Sequence, residues 1–227
     1  MTAQTMQIGN KPCRIYGEPH AEYLLLQMTG EHELQSMDSE VAAIAQSAHH
    51  FLFAAIPVES WNDALSPWEA PAVWGKQGFG GKAADTLRFL TEQVIPTLEQ
   101  QFPLPENVKI ILGGYSLAGL FALYALYQTD VFARAASMSG SFWFEGIMEY
   151  VCSHEMKRKP DCLYFSLGDK ESSTDNPILN VVQQNTQEIE TLCHGKGIET
   201  TFVLNSGSHY QACNKRTAAG IHWILNR

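Results

Sequence analysis

A short segment in the middle of the chain holds a serine in a setting suited to nucleophilic catalysis. Ser116 lies in the sequence Gly-Tyr-Ser-Leu-Ala, directly after an apolar run that is typical of a β-strand. Gly114 and Ala118, two residues to either side, are small, as they must be where a strand turns sharply into a helix. Residues 117–127 are rich in leucine and alanine and predict that helix. The pattern therefore indicates a nucleophile elbow, the turn that exposes a catalytic serine.

A serine hydroxyl is a weak nucleophile until a base takes its proton, so the elbow predicts a histidine further along the chain. His209 meets this need because it lies in a Gly/Ser loop directly after a strand-like run at residues 200–204. Catalytic groups gather at the carboxyl ends of strands in an open α/β sheet. The other seven histidines lack such a position. We therefore predict His209 as the general base.

Two carboxylates follow another strand-like run, at residues 163–167, and either could orient the imidazole. They are Asp169 and Glu171, in the turn Gly-Asp-Lys-Glu. A turn of this form usually presents its fourth residue, so Glu171 is the predicted acid and Asp169 the alternative. A third interpretation makes both carboxylates solvated and leaves a Ser-His dyad. With either acid, the chain order is serine, acid, histidine, as in α/β-hydrolases.

Acyl transfer also needs two N–H donors for the oxyanion that forms on the carbonyl. We expect one at Leu117, directly after the serine, and the other in the loop after the run 51–58, between Val58 and Trp61, with Val58 as the named candidate. The irregular stretch 59–81, called the flap below, combines glycines and prolines with several large aromatics, which favours an ordered loop. Burial in the core is the alternative role for its tryptophans. The predicted substrate-binding aromatics are Trp61, Trp68, Trp143 and Tyr115.

Strand-like and helix-like segments alternate along the chain, which predicts a mostly parallel sheet with helices on both faces. Pro96 falls inside one helix-like segment and should kink or split it. The predicted strands are residues 23–28, 51–58, 108–113, 133–138, 163–167 and 200–204, and the predicted helices are residues 39–47, 82–101, 117–127, 177–194 and 215–225.

The length of 227 residues and the 45% hydrophobic content fit one α/β domain over residues 1–227. A net charge of −9 argues against nucleic-acid binding, and the single basic run at 157–159 is interpreted as a solvated loop.

No apolar stretch approaches membrane-spanning length and no secretory signal is apparent, so no membrane association is expected. Five widely spaced cysteines are typical of reduced thiols, which favours a cytoplasmic location. No metal or cofactor is expected, because no His/Cys/Asp group has the spacing of metal ligands. Whether the protein forms a homo-oligomer is left open by the sequence.

Several segments, in the same order along the chain, resemble the esterase D-like esterases, a group that includes the enterochelin-esterase-like hydrolases. They are residues 113–122, 139–143, 163–171, 208–209 and 216–221. The resemblance implies an α/β-hydrolase fold and serine-dependent ester hydrolysis, with Ser116, His209 and an acid near Glu171 as the triad. The flap holds no arginine cluster suited to an anionic ferric siderophore, which argues against that substrate.

The sequence thus predicts a serine hydrolase that acts through an acyl-enzyme on a small or medium-sized carboxylic ester. Two alternatives stay open: an acyltransferase on the same fold, and a catalytically silent binding module. The expected partner is a small-molecule ester.

Overall fold

The computed structural model describes residues 3–17, 20–30, 33–34, 37–46 and 49–227. Within these residues an eight-stranded sheet forms the centre of the fold, with the strand order β1-β2-β4-β3-β7-β8-β9-β10. The strands of this sheet are β1 (Ala3–Ile8), β2 (Lys11–Gly17), β3 (Tyr23–Gly30), β4 (Phe51–Val58), β7 (Lys109–Tyr115), β8 (Arg134–Met138), β9 (Cys162–Gly168) and β10 (Glu199–Asn205).

The strands from β4 to β10 along this order are all parallel, and β1 and β2 join the sheet antiparallel at one edge. The interior strands are apolar on both faces; β4, for example, is buried along its whole length. This composition is expected where helices cover both sides of a parallel sheet. The mostly parallel α/β sheet predicted from the sequence is therefore confirmed. The β1–β2 hairpin was not anticipated, because β1 is a half-exposed edge strand whose polar and apolar residues resemble a loop.

Helices α1 and α8 pack together on one face of the sheet, and the other helices cover the opposite face. The helix bounds are α1 (Met37–Ala45), α2 (Trp61–Leu65), α3 (Ala83–Phe89), α4 (Ile95–Gln101), α5 (Leu117–Gln128), α6 (Ile147–Ser153), α7 (Val182–Gly195) and α8 (Cys213–Leu225). In the described part of the chain, no helix has the length and apolar character needed to cross a membrane.

Three predicted helices differ from the observed ones in instructive ways. The helix predicted at 39–47 is α1, and Ser47 lies outside the described residues. The segment predicted at 82–101 is helical from Ala83 to Gln101, as α3, a π-helical turn at Leu90–Val94 and α4. Pro96 lies at the start of α4, directly after the π-helical turn. Pro177 does not begin α7, because residues 177–181 form turns and the helix starts at Val182.

The flap is ordered, as predicted. It contains α2 and a small two-stranded sheet, β5 (Glu69–Ala70) with β6 (Phe79–Gly80). Its aromatic side chains pack on one another and on the segment after β8, since Phe79 contacts both Trp143 and Phe144. Aromatic contacts of this kind provide the burial that holds an irregular segment in one conformation.

Candidate active site

The chain turns sharply at Ser116, between the end of β7 and the start of α5. Ser116 has φ 59° and ψ −122°, an uncommon conformation for a residue with a side chain. The turn brings strand and helix so close that a Cβ at Gly114 would lie 2.3 Å from the carbonyl oxygen of Ala118. A glycine at position 114 is therefore a steric requirement, and the strained corner holds the Ser116 hydroxyl above the end of the sheet.

The structure brings together the three residues predicted for the triad. His209 Nε2 lies 3.0 Å from Ser116 Oγ, and His209 Nδ1 lies 2.7 Å from Glu171 Oε2. An ionised carboxylate only accepts hydrogen bonds, so Nδ1 carries the proton and Nε2 is free to accept the serine hydroxyl. The residues follow β7, β9 and β10, whose carboxyl ends lie at the same edge of the sheet.

Glu171, rather than Asp169, faces the histidine. The second oxygen of Glu171 accepts the backbone N–H of Gly168 at 2.6 Å and the Ser139 hydroxyl at 2.7 Å. Burial raises the pKa of the Glu171 carboxyl, but the hydrogen bonds and the charge of His209 outweigh it and hold the pKa below its usual range. Asp169 instead accepts the N–H of Gly207 at 2.8 Å and thereby ties the acid turn to the histidine loop.

Arg216, on α8, joins the same network and was not singled out from the sequence. Its side chain is 3% exposed; Nη1 donates to Glu171 Oε1 at 3.2 Å and Nη2 to the carbonyl of Ser206 at 3.0 Å. It thereby connects the loop that carries the acid to the loop that carries the histidine. The sequence does contain a sign that Arg216 is buried: it lies at four-residue spacing from Gly220 and Ile224, on the buried face of the helix.

Tyr115 lines the active-site cavity, as a substrate-binding residue would, and also contacts the histidine. Its hydroxyl donates to the backbone carbonyl of His209 at 2.6 Å, and the two rings lie 5.4 Å apart. Burial raises the pKa of the Tyr115 phenol, so it stays a protonated donor at neutral pH. The contact fixes the backbone that bears the imidazole.

A cavity of about 480 Å³ opens beside Ser116 and His209. Of the predicted substrate-binding aromatics, Trp61 and Tyr115 line it. Trp68 and Trp143 do not: the Trp68 indole N–H donates to the carbonyl of Glu145 at 2.9 Å, and Trp143 packs against Phe79. These two are therefore placed in the packing between the flap and the segment after β8, where both are partly buried against the core. Trp74, another tryptophan of the flap, also lines the cavity.

The two predicted oxyanion donors lie in different settings. Leu117 begins α5, so its N–H has no acceptor in a preceding helical turn and stands next to Ser116. Val58 ends β4 and lines the cavity. However, the strand directly beside β7 is β3, not β4. Gly30, at the end of β3, also lines the cavity, and its N–H donates to the Glu33 carboxylate at 2.9 Å. Val58 as the second donor stays a prediction.

Among the residues that the structure describes, no group of three or more His, Cys, Asp and Glu side chains has the arrangement of a metal site. The polar groups that the structure brings together at this edge of the sheet are the Ser116 hydroxyl, the His209 imidazole and the Glu171 carboxylate.

Comparison with known proteins identifies relatives of the chain. The model of the family described as "Putative esterase" matches residues 30–215. The uncharacterized protein YbbA of Bacillus subtilis (strain 168) is 24% identical over 182 residues, which are 76% of this chain and 72% of that protein.

Two solved structures share the fold over almost the whole chain. An IroE-like serine hydrolase from Shewanella oneidensis superposes with a TM-score of 0.80 at 18% identity, covering 98% of this chain and 79% of that one. The siderophore hydrolase EstA from Aspergillus nidulans gives a TM-score of 0.72 at 18% identity, covering 99% and 94%. The expected α/β-hydrolase fold and the resemblance to these esterases are confirmed.

Proposed function

Since this chain belongs to the esterase family, we propose that it is a serine hydrolase that cleaves a small or medium-sized carboxylic ester through an acyl-enzyme. The observation that carries the proposal is the 3.0 Å separation of Ser116 Oγ and His209 Nε2, with Glu171 behind the imidazole. A catalytically silent module has no need of that geometry, so the separation favours catalysis.

In the first half of the reaction, Ser116 Oγ bonds to the carbonyl carbon and its proton moves to His209 Nε2. The carbonyl π electrons move to the oxygen, where the Leu117 N–H and a second donor stabilise the charge. When the tetrahedral species collapses, the bond to the alcohol oxygen breaks and the alkoxide takes the proton from Nε2. Water then repeats these steps on the acyl-enzyme and releases the carboxylic acid and the free serine.

Glu171 stays ionised through this cycle and offsets the positive charge that His209 acquires. Its lowered pKa supports that role, because a carboxylate that resists protonation keeps the imidazole in the reactive tautomer. The cavity of about 480 Å³ suits a substrate of small or medium size.

The proposal is tested by hydrolysis of p-nitrophenyl butyrate under single-turnover conditions. Ser116→Ala should lower the rate by at least about 10³-fold while the far-UV circular dichroism is retained. Ser153→Ala, in an exposed serine at the end of α6, is the matched control and should keep the wild-type rate. A fluorophosphonate should label Ser116 in the wild type. A folded Ser116→Ala protein with the wild-type rate would refute the mechanism.

The same assay separates the two alternatives that the sequence left open. With added alcohols, transfer products that form in preference to free acid would identify an acyltransferase. A wild-type protein that neither turns over esters nor accepts the fluorophosphonate label would be a silent module.

We also propose a cytoplasmic location. The five cysteines, all within the described residues, are free thiols in the structure, which fits a reducing compartment. Cell fractionation tests this, and recovery of the protein outside the cytoplasm would contradict it.

A further inference from the structure

The cavity beside Ser116 is acidic. Among the described residues that line it, Glu33, Glu40 and Glu59 bring carboxylates, and none is a lysine or an arginine. The cavity extends along the end of β3 into the space between α1 and α8, with Met37 on one side and Thr217 on the other. A negatively charged ligand would meet repulsion from the carboxylates along this wall.

Two of the lining residues form a buried, hydrogen-bonded pair in which one acceptor atom has no donor. Gln27 on β3 is 5% exposed and Glu40 on α1 is 4% exposed; Gln27 Nε2 donates to Glu40 Oε1 at 2.7 Å. The other end of this amide, Gln27 Oε1, has no hydrogen-bond partner among the described residues. Buried acceptors are almost always paired, so an unpaired one in the wall of a substrate cavity points to a donor supplied by the ligand.

The carboxyl of Glu40 is also in an environment that disfavours its charged form. The pKa of the Glu40 carboxyl is raised to about 7. Burial is the largest cause and the like charge of Glu33 acts in the same direction, while the hydrogen bond from Gln27 opposes them. A carboxylate in such a place is stabilised by a cation with N–H groups, which forms short, charge-assisted hydrogen bonds.

The remaining walls suit the apolar part of such a ligand. Met28, Trp61, Trp74 and Tyr210 line the cavity. Thioether and aromatic side chains accept methylene groups, and aromatic faces also attract a nearby cation.

We propose that the substrate is an ester that carries a primary ammonium group, and that Gln27 and Glu40 bind this ammonium while Ser116 attacks the ester carbonyl. A primary ammonium has N–H donors for both Gln27 Oε1 and the Glu40 carboxylate, and its alkyl chain would lie against the apolar walls. The inference rests on the proposed ester hydrolysis, for which it names the class of substrate.

The test compares esters that differ only in the terminal group. On the acyl side, p-nitrophenyl ε-aminocaproate is matched by p-nitrophenyl heptanoate, and p-nitrophenyl β-alaninate by p-nitrophenyl butyrate. On the alcohol side, ε-aminohexyl butyrate is matched by heptyl butyrate, with acid release followed by titration. In at least one pair we expect kcat/KM for the ammonium ester to exceed that of its neutral match by about tenfold or more.

Variants assign the preference to the buried pair. Glu40→Gln keeps the shape and removes the charge, and Gln27→Met removes the free acceptor; each should lower the ratio of the two kcat/KM values by about tenfold. The ratio is the readout because a general loss of activity cancels in it. Glu92→Gln, in an exposed glutamate of the π-helical turn, is the matched control and should leave the ratio unchanged. The proposal is overturned if neutral esters are preferred or equal in every pair, or if both variants keep the wild-type ratio.

A binding measurement separates this inference from the proposed function. Ser116→Ala protein, which cannot form an acyl-enzyme, should bind n-hexylammonium at least about tenfold more tightly than hexanol or hexanoate by calorimetry. Loss of hydrolysis with retained ammonium binding would refute the esterase and keep the cation site. Hydrolysis of neutral esters without ammonium preference or binding would refute the cation site alone.

Discussion

At the scale of single residues, the proposed active site contains contacts that hold two loops together as well as the predicted triad. Arg216 donates to Glu171 on one side and to the carbonyl of Ser206 on the other. Tyr115 donates to the backbone carbonyl of His209. In the mechanism proposed above, these groups are positioning residues, and their effect on the rate would pass through the imidazole.

Removing Arg216 should therefore change the pH dependence as well as the rate. In Arg216→Met, we expect kcat to fall by about 10- to 100-fold with a smaller change in KM, because the imidazole loses its support. Loss of the adjacent cation should raise the pKa of Glu171, so that activity begins to fall at a higher pH on the acid side. Arg216→Lys should recover part of both effects. Steady-state kinetics across pH check this.

The exposed Arg88 on α3 supplies the control, since Arg88→Met should match the wild type in both rate and pH profile. A folded Arg216→Met enzyme with a lowered kcat but an unshifted profile would indicate a structural role alone.

How far the sequence predicted the site follows from how local each signal is. Ser116, Glu171 and His209 each follow a recognisable strand, and parallel strands place their carboxyl ends together, so their proximity was predictable. The link from Arg216 to Glu171 joins residues far apart in the chain and depends on how α8 lies on the sheet. The same limit applied to Trp68, whose aromatic character is compatible with a substrate pocket and with the packing that the structure shows.

At the scale of elements, the elbow requires β7 and α5 to meet almost without a gap. Gly114→Ala should be destabilising by about 1–3 kcal/mol, because its Cβ would lie 2.3 Å from the carbonyl oxygen of Ala118 and the turn would have to open. Opening the turn displaces Ser116, so esterase activity should fall as well. Urea unfolding and the ester assay measure the two effects.

Gly195 provides the matched control for this substitution. It ends α7, and a Cβ there would meet no atom within 4 Å. Gly195→Ala should change the stability by no more than about 0.5 kcal/mol. Equal unfolding midpoints for Gly114→Ala and the wild type would show that the corner is not constrained as described.

The helices and strands were predictable where the sequence has a clear pattern of apolar residues. The interior strands are continuous apolar runs, and all six that were predicted are present with their ends shifted by no more than two residues. The flap was predicted as ordered, but its short helix and its two-residue strands have no period of their own. They form because Trp68 and Phe79 pack against Phe144, a contact that a local pattern does not contain.

At the scale of the whole molecule, one buried carboxyl should make the stability depend on pH. Burial raises the pKa of Glu40 from 4.5 to about 7 in the folded protein. Between these pH values the folded state thus binds more protons than the unfolded state. The free energy of unfolding therefore falls as the pH rises through this window, and the loss due to Glu40 reaches its full size above about pH 7. Glu40→Gln removes the loss. Its gain over the wild type should reach up to about 3 kcal/mol near pH 8 and shrink near pH 5.

Urea denaturation at the two pH values tests this, with Glu92→Gln as the exposed control that should behave as the wild type does. A gain for Glu40→Gln of the same size at both pH values would contradict ionisation of Glu40 as its cause.

The position of β10 at the rim of the sheet has a consequence for how the enzyme fails. Among the described strands β10 pairs with β9 alone, and its Val203 and Leu204 are 36% and 46% exposed. A segment with one hydrogen-bonded neighbour and little buried surface opens at a lower free energy than the interior. Because the loop after β10 carries His209, ester hydrolysis should cease at urea concentrations where tryptophan fluorescence still reports a folded interior. Coincident curves for activity and fluorescence would show instead that the rim and the interior melt as one cooperative unit.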